Sequence, residues 1–319
     1  MIDLRRVRVL RALAEHGTVT ATAAALHLTP SAVSQQLRQL SRDVGAELLR
    51  QDGRRVRLTT EAQVLLRHAD VLFAQWESAA AELAEAGHAA GREVAGSLRV
   101  CGVSSALAAL AAPAVQQLRR WYPRLDVRLA EEESADCFRL LTAEEADIAL
   151  VLPGPDLPPV VDPRFESVPL LDDRQDLLVP SDHRLAGAGG GGERLVELAG
   201  EDWIVKRRDN DSWPLLATAC AAAGFTPHVV HEVKEWYAVS ALVGEGLGVC
   251  LLPRIVPVPS RHAVVRVPLR GEVVPSRRLL GCVRRGSAEH PLVAAGLEAL
   301  RRTARRAGET EGGSVSPAG

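Results

Sequence analysis

The run Leu28-Thr29-Pro30-Ser31-Ala32-Val33-Ser34-Gln35-Gln36-Leu37-Arg38-Gln39-Leu40 constrains the fold more than any other part of the chain. Thr29 is a natural helix cap, and Pro30 suits a first helical turn, where its missing N–H would have had no partner. Val33, Leu37 and Leu40 recur at i, i+4 and i+7, so the helix to about Leu40 has one apolar face. Ser31, Ser34, Gln35 and Arg38 occupy the opposite face at i, i+3, i+4 and i+7. Upstream, Leu4, Val7, Leu10, Leu13 and Ala14 follow helical spacing up to a stop at Gly17, and residues 19–26 fit a second short helix. The polar stripe is either a solvated face or a set of hydroxyl, amide and guanidinium groups fit to meet base edges in a major groove.

The segment after the third helix favours the second alternative. Leu48-Leu49-Arg50 and Arg55-Val56-Arg57-Leu58 read as short strands around Gln51-Asp52-Gly53-Arg54, and Asp-Gly is a hairpin signal. A hairpin carrying Arg50, Arg54, Arg55 and Arg57 can hold flanking phosphates, fixing register without reading sequence. Residues 1–60 hold ten arginines against five carboxylates, a charge of +5, although the whole chain of 319 residues is at −2. The remainder therefore carries −7, and a polyanion partner is expected for the head alone.

From Thr60 to about Gly87 the chain reads as one alanine-rich helix. Leu65, Ala69, Leu72, Trp76, Ala79, Leu83 and Ala86 alternate steps of four and three, a heptad seam. Such a seam needs cover, from the chain's own body or from a second copy. Pairing through it would present two heads to a partly palindromic duplex.

Beyond residue 96, short apolar runs alternate with helical stretches. Residues 127–130, 148–152, 176–179, 249–252 and 279–283 read as strands; 113–121, 213–224, 238–244 and 290–302 read as helices. Alternation of this kind means α/β lobes. The glycine-rich run 186–192 reads as a surface loop, since it lacks the lysine and the strand–loop–helix order of a phosphate cradle. Residues 307–319 read as a disordered tail.

The head resembles the LysR-type transcriptional regulators. The stretch from Leu26 through Leu37 is similar to that family's helix-turn-helix, and Gly45 to Leu49 with Arg54 to Thr59 follow its wing. Ser41, Gln51 and Ala62 depart from the family's usual residues. In the body, Gly96-Ser97-Leu98-Arg99-Val100, Trp121-Tyr122-Pro123, Ala146-Asp147-Ile148-Ala149-Leu150 and the turn and strand from Gly244 to Pro253 resemble family segments in the same order.

The resemblance implies an α/β protein with an all-α-type winged helix-turn-helix head (1–59), a linker and dimerisation helix (60–91) and a two-lobed, periplasmic-binding-protein-like effector domain (92–306). The crossings between lobes are expected near Asp162 and Val267, giving lobe I as 96–162 plus 268–305 and lobe II as 163–267. DNA contacts are expected at Thr29, Pro30, Ser31, Ser34, Gln35 and Arg38, with Arg50, Arg54 and Arg55 on the hairpin.

Ligands of two-lobed proteins bind between the lobes, at strand ends and helix starts. Ser104 and Ser105 are thus effector-site candidates or plain helix caps. Trp203, Trp236 and Tyr237 are cleft walls or core, and Glu131, in Glu131-Glu132-Glu133, is a site for a basic group or a solvated turn. Arg207 and Arg208 are either partners for an acidic effector or a solvated loop.

The expected partners are double-stranded DNA, a small-molecule effector and further copies of the chain as dimer or tetramer, with no membrane. No cofactor, metal or catalytic motif is expected; the five dispersed cysteines read as free thiols of a cytoplasmic protein, with Cys220 and Cys250 the residual redox pair. The competing functions are an effector-independent architectural DNA binder and an enzyme on a binding-protein fold.

Overall fold

The computed structural model describes residues 3–52, 55–91, 93–154, 157–187, 194–207, 212–271 and 274–312. Three helices build the head. α1 (Leu4–His16) starts at Asp3, whose carboxylate accepts the Arg5 N–H at 2.9 Å, and ends at Gly17 in the left-handed region, φ +70°. α2 (Val19–Ala25) is capped by Thr18, and α3 (Pro30–Val44) by Thr29, whose Oγ1 accepts the Ala32 N–H at 3.2 Å. α3 passes its expected end near Leu40 because nothing in Ser41-Arg42-Asp43-Val44 breaks a helix before Gly45.

β1 (Leu49–Asp52) and β2 (Arg55–Leu58) form the antiparallel wing, with Leu49 opposite Leu58 and Arg50 opposite Arg57. Gly53 and Arg54 at its tip lie outside the described residues, and Arg55 is described only in its backbone. Val7, Leu10, Leu13, Val33, Leu37, Leu40 and Leu48 close the head's core.

α4 (Thr60–Ala89) is capped by Thr59, whose Oγ1 accepts the Ala62 N–H and donates to the Glu47 carbonyl at 2.7 Å. Its first turns belong to the head: Ala62, Ala69 and Phe73 are buried in that core, and Leu65 packs on it. The seam is therefore divided. Leu65 and Ala69 face inward, while Leu72, Trp76 and Leu83 are 56, 62 and 71 % exposed.

In the body, β3 (Gly96–Gly102) pairs in parallel with β4 (Leu125–Glu131) on one side and β5 (Ile148–Val151) on the other. Between β3 and β4 run α5 (Ser104–Ala106), a π turn (Leu107–Ala111) and α6 (Ala112–Trp121), joined without a break. α7 (Ser134–Thr142) links β4 to β5. β6 (Phe165–Pro180) follows, then β7 (Asp202–Lys206), α8 (Trp213–Ala222), β8 (His228–Val233), α9 (Trp236–Gly244), β9 (Cys250–Pro253), β10 (Val264–Pro268), β11 (Ser276–Arg284) and α10 (Pro291–Gly312).

β6 joins the lobes. Its residues from Phe165 to Arg174 pair with β11, which also pairs with β5, while Gln175 to Pro180 pair with β9 and β10. The first crossing thus falls at Arg174 and Gln175 rather than near Asp162. The second falls between Pro268 and Ser276, because Val267 still pairs with Leu177 in lobe II. At the first crossing extended backbone runs through without a turn, so no Gly or Pro marks the place, whereas Pro268 and Gly271 punctuate the second. α10 also corrects the tail: residues 307–312 are helical, and 313–319 lie outside the described residues.

Leu98, Ile148, Leu150 and Leu279 from the lobe I sheet pack on Leu110, Leu118, Leu297 and Leu300 from the helices. Burial of each such side chain contributes about 1.5–3 kcal/mol. Lobe II has two cores, one around Leu177, Trp203 and Cys220 and one around Leu178, Val239 and Cys250.

Candidate nucleic-acid interface and interlobe cleft

α3 turns Val33, Leu37 and Leu40 into the head and leaves Thr29, Pro30, Ser31, Gln35 and Arg38 exposed, with Ser34 half-buried. The Thr29 and Ser31 hydroxyls lie 3.0 Å apart at the start of the helix. Between α3 and the wing runs an open groove of about 610 Å³, lined by Ser34, Arg38, Ser41, Arg42 and Arg50 over an apolar floor of Val19, Leu37, Leu49 and Val56. Ser41 and Arg42 were missed from the sequence because the helix was ended at Leu40; the stripe in fact continues through them. Three guanidiniums around a concave face make a surface for phosphates and guanine edges.

The interlobe recess is lined by Val103, Ser104, Ser105, Glu133 and Leu152 from lobe I and by Lys206, Ser212 and Trp236 from lobe II, with Arg277 beside them. A neighbouring recess in lobe II shares Lys206, Ser212 and Trp236 and adds Gln175 and Trp213. The Lys206 ammonium stands 5.3 Å from the Trp236 ring centroid. Arg277 is buried; its Nη2 donates to Ser105 Oγ at 2.8 Å and its Nε to Asp173 Oδ2 at 2.8 Å. Ser104, Ser105 and Trp236 thus come together at the cleft.

The other three effector candidates do not join them. Trp203 is 0 % exposed and packs against Phe225, with ring centroids 6.3 Å apart. β7 is paired along both edges, by β8 and by the bridge from Trp203 to Val249, and the Trp203 side chain projects from its face into the core with Leu177, Leu216 and Cys220. Tyr237 is half exposed and turns toward His262 and Arg261, whose guanidinium donates to its hydroxyl. Glu131 ends β4 on an exposed site opposite Gly102; the carboxylate at the recess is that of Glu133.

Arg277 and Lys206 carried no sequence signal, since the partners that place them are far away in the chain. Arg207 donates its backbone N–H to the Val233 carbonyl at 3.0 Å, and Arg208 lies outside the described residues.

The crossing itself is charged. Arg254 donates to Asp176 at 2.9 Å, and Arg266 approaches the same carboxylate at 3.8 Å. Burial lowers the Arg266 guanidinium below its ordinary pKa, against the attraction of Asp176. All five cysteines are buried, and Cys220 and Cys250 sit in different cores, so the residual redox pair is not assembled. No helix among the described residues is long and apolar enough to cross a membrane.

Comparison with known proteins agrees with this architecture. Residues 4–63 match the model of the bacterial regulatory helix-turn-helix proteins of the lysR family, and residues 91–305 match the LysR substrate binding domain. The transcriptional regulator AlsR of Bacillus subtilis is 27 % identical over 256 residues, covering 79 % of this chain and 80 % of that protein. IlvY of Escherichia coli is 26 % identical over 328 residues, covering 92 % and 97 %. Among solved structures, a full-length OxyR variant from Pseudomonas aeruginosa superposes with a TM-score of 0.65 at 20 % identity, covering 96 % of this chain and 95 % of that one. The chain belongs to the LysR-type transcriptional regulators, with a winged helix-turn-helix head and a two-lobed effector-binding domain.

Proposed function

We propose that this regulator binds promoter DNA as a homodimer or tetramer in the cytoplasm and that a small molecule between its lobes changes how the heads are placed. The observation that carries the DNA assignment is the groove between α3 and the wing, where Arg38, Arg42 and Arg50 surround an exposed polar stripe. Arg38, Gln35, Ser34 and Ser31 read bases, Thr29, Arg42, Arg50, Arg54 and Arg55 hold phosphates, and Pro30 packs against the duplex without donating to it.

The exposed part of α4 supports self-association. Leu72, Trp76 and Leu83 stand on one stripe with Ala79 and Ala86, and a second copy of the helix is the cover that matches its spacing. Leu83→Glu places charge in that seam and is expected to give monomers in sedimentation velocity; an unchanged dimer or tetramer would count against the assignment.

For the effector, Ser104, Ser105, Glu133, Lys206, Ser212 and Trp236 offer hydrogen bonds, charge and a flat apolar wall at the junction of two lobes. Binding shifts the regulator only through different affinity for its two arrangements. A serine–histidine contact in lobe II does not favour an enzyme. The Ser240 hydroxyl lies 2.9 Å from His262 Nδ1, yet it is buried away from the cleft and donates to the Tyr237 carbonyl.

Duplex binding is tested by selection from a random-sequence pool with the full chain, followed by gel shift across a salt series. A steep fall of affinity with salt and an enriched sequence are expected; no enrichment would overturn the proposal. A metabolite panel screened by thermal shift tests the cleft, where the true effector raises Tm.

A further inference from the structure

The two recesses at the cleft differ in kind. The one between the lobes is polar, with Ser104, Ser105 and Glu133 from lobe I and Lys206 and Ser212 from lobe II around it. The one inside lobe II is mostly apolar, lined by Trp213, Leu215, Leu216 and Leu251 with Gln175 from the crossing. Lys206, Ser212 and Trp236 border both. The fold gathers these side chains because Lys206 closes β7, Trp213 opens α8, Trp236 opens α9 and Ser104 opens α5. Glu133 stands at the cap position of α7 but makes no side-chain cap bond, so its carboxylate is not spent on that helix.

The border between the recesses is a contact that can move. The Lys206 ammonium lies 5.3 Å from the Trp236 ring centroid, on an unbranched four-carbon stem, and a cation over an indole face gives way to an anionic partner. Open space amounts to about 10 Å³ in the polar recess and about 20 Å³ in the apolar one, room for roughly one water each. A larger guest has to swing Lys206 off the indole or part the lobes, and either movement joins a charged head pocket to an apolar side pocket.

Charge then selects the head group. A lone carboxylate beside Lys206 would share the recess with the Glu133 carboxylate, and a lone amine beside Glu133 would share it with the Lys206 ammonium. Like charges brought together in a desolvated site cost affinity. Arg277 does not relieve the first case, because its guanidinium is held by Asp173 and Ser105. A head that carries both charges satisfies Glu133 in lobe I and Lys206 in lobe II at once, and so draws the lobes together.

We propose that the effector is an apolar α-amino acid, with its ammonium at Glu133, its carboxylate at Lys206 and Ser212, and its aromatic or branched side chain in the recess of Trp213, Leu215, Leu216 and Leu251. This assignment rests on the cleft being the effector site and adds the chemistry that the cleft selects.

Calorimetric titration of the full chain at neutral pH tests it with matched probes. L-phenylalanine is compared with phenylpropanoate, which lacks the ammonium, and with phenylethylamine, which lacks the carboxylate. L-leucine, isocaproate and isoamylamine form the branched set, and L-alanine lacks the side chain that would fill lobe II. One of the two larger amino acids should bind about tenfold or more tightly than its single-charge analogues and than L-alanine. Glu133→Gln should erase its advantage over the carboxylate analogue, and Lys206→Met its advantage over the amine. Glu131→Gln, on the exposed end of β4, should change neither. The wild-type ranking decides alone if a variant does not fold.

Equal or tighter binding of a single-charge analogue overturns the amino-acid class while leaving the cleft as the effector site. An amino acid whose advantage survives both Glu133→Gln and Lys206→Met overturns its placement in the cleft. No binding by any probe at millimolar concentration overturns the class, and the wider metabolite panel then judges the cleft by itself.

Discussion

Two nitrogens of Arg277 reach one carboxylate oxygen of Asp173, each at 2.8 Å, across 104 positions of sequence. Asp173 is 0 % exposed and sits where β6 leaves lobe I, one residue before its crossing at Arg174 and Gln175. Arg277 also donates to Ser105 at the start of α5, so one guanidinium ties the crossing strand to the wall of the cleft. Replacing it by Met would leave the Asp173 carboxylate buried without its counter-charge. The Arg277→Met chain should lose about 3–5 kcal/mol in denaturant unfolding of the body. Loss of less than about 1 kcal/mol would show that Asp173, which burial already pushes toward its protonated form, is neutralised or reached by water once Arg277 is gone.

On the DNA side, Arg38 and Arg42 face the same groove one helical turn apart and should fail differently. Arg38→Ala removes the long donor at the centre of the polar stripe, so it should cost about 1–3 kcal/mol on the selected site and relax the base preference there. Arg42→Ala, one turn further along α3, should weaken binding to all duplexes alike and reduce the salt slope by about one. Competition gel shifts against selected and scrambled duplexes separate the two. A uniform loss for Arg38→Ala would move that residue from bases to phosphates.

Features that repeat along the chain were legible in the sequence, and features made by distant pairs were not. Val33, Leu37 and Leu40 face inward as their spacing requires, and Asp-Gly marks the hairpin. The split of the α4 seam escaped the pattern because Leu65 and Leu72 are equivalent heptad positions; only the docking of the head decides which is covered. Trp203 is expected at a strand end by the cleft, but β7 is an inner strand and its indole packs into the core of lobe II. In the cleft, the serines could be found from their place after β3, while Arg277 depends on Asp173 and had no local mark. The first crossing was misplaced because the backbone continues through β6 as an ordinary strand, whereas the second follows β10 within a few residues of its expected place.

Asp147 shows how the body should respond to acid. Burial opposes its ionised form, but hydrogen bonds from the Arg99 guanidinium and backbone N–H, with the charges of Arg99 and Arg284, outweigh that and hold its pKa below the usual carboxylate range. A depressed folded pKa adds stability that is complete above the ordinary carboxylate pKa and disappears as pH falls through the lowered value. Asp147→Asn should therefore be about 1–2 kcal/mol less stable at neutral pH, a figure discounted for the partly exposed Arg99. Its deficit should shrink as acid protonates the wild-type carboxyl. Parallel stability curves down to pH 3 would show that Asp147 has an ordinary pKa.

The cysteines allow a test of the body's packing that needs no ligand. Burial pushes the Cys220 and Cys250 thiols up to about 12, and that of Cys282 up to about 11, where the Ser167 hydroxyl opposes the shift. Because the thiolate is the reactive species, only roughly one such thiol in ten thousand is ionised at pH 8 when its pKa is near 12. None of the five side chains reaches solvent, so access and ionisation both oppose reaction. Folded protein treated with iodoacetamide at pH 8 should remain unlabelled by mass spectrometry and take up five groups once unfolded in guanidinium. Prompt labelling of Cys220 or Cys250 in the folded chain would mean that lobe II opens at its core, and the redox pairing that its two separate cores forbid would again be possible.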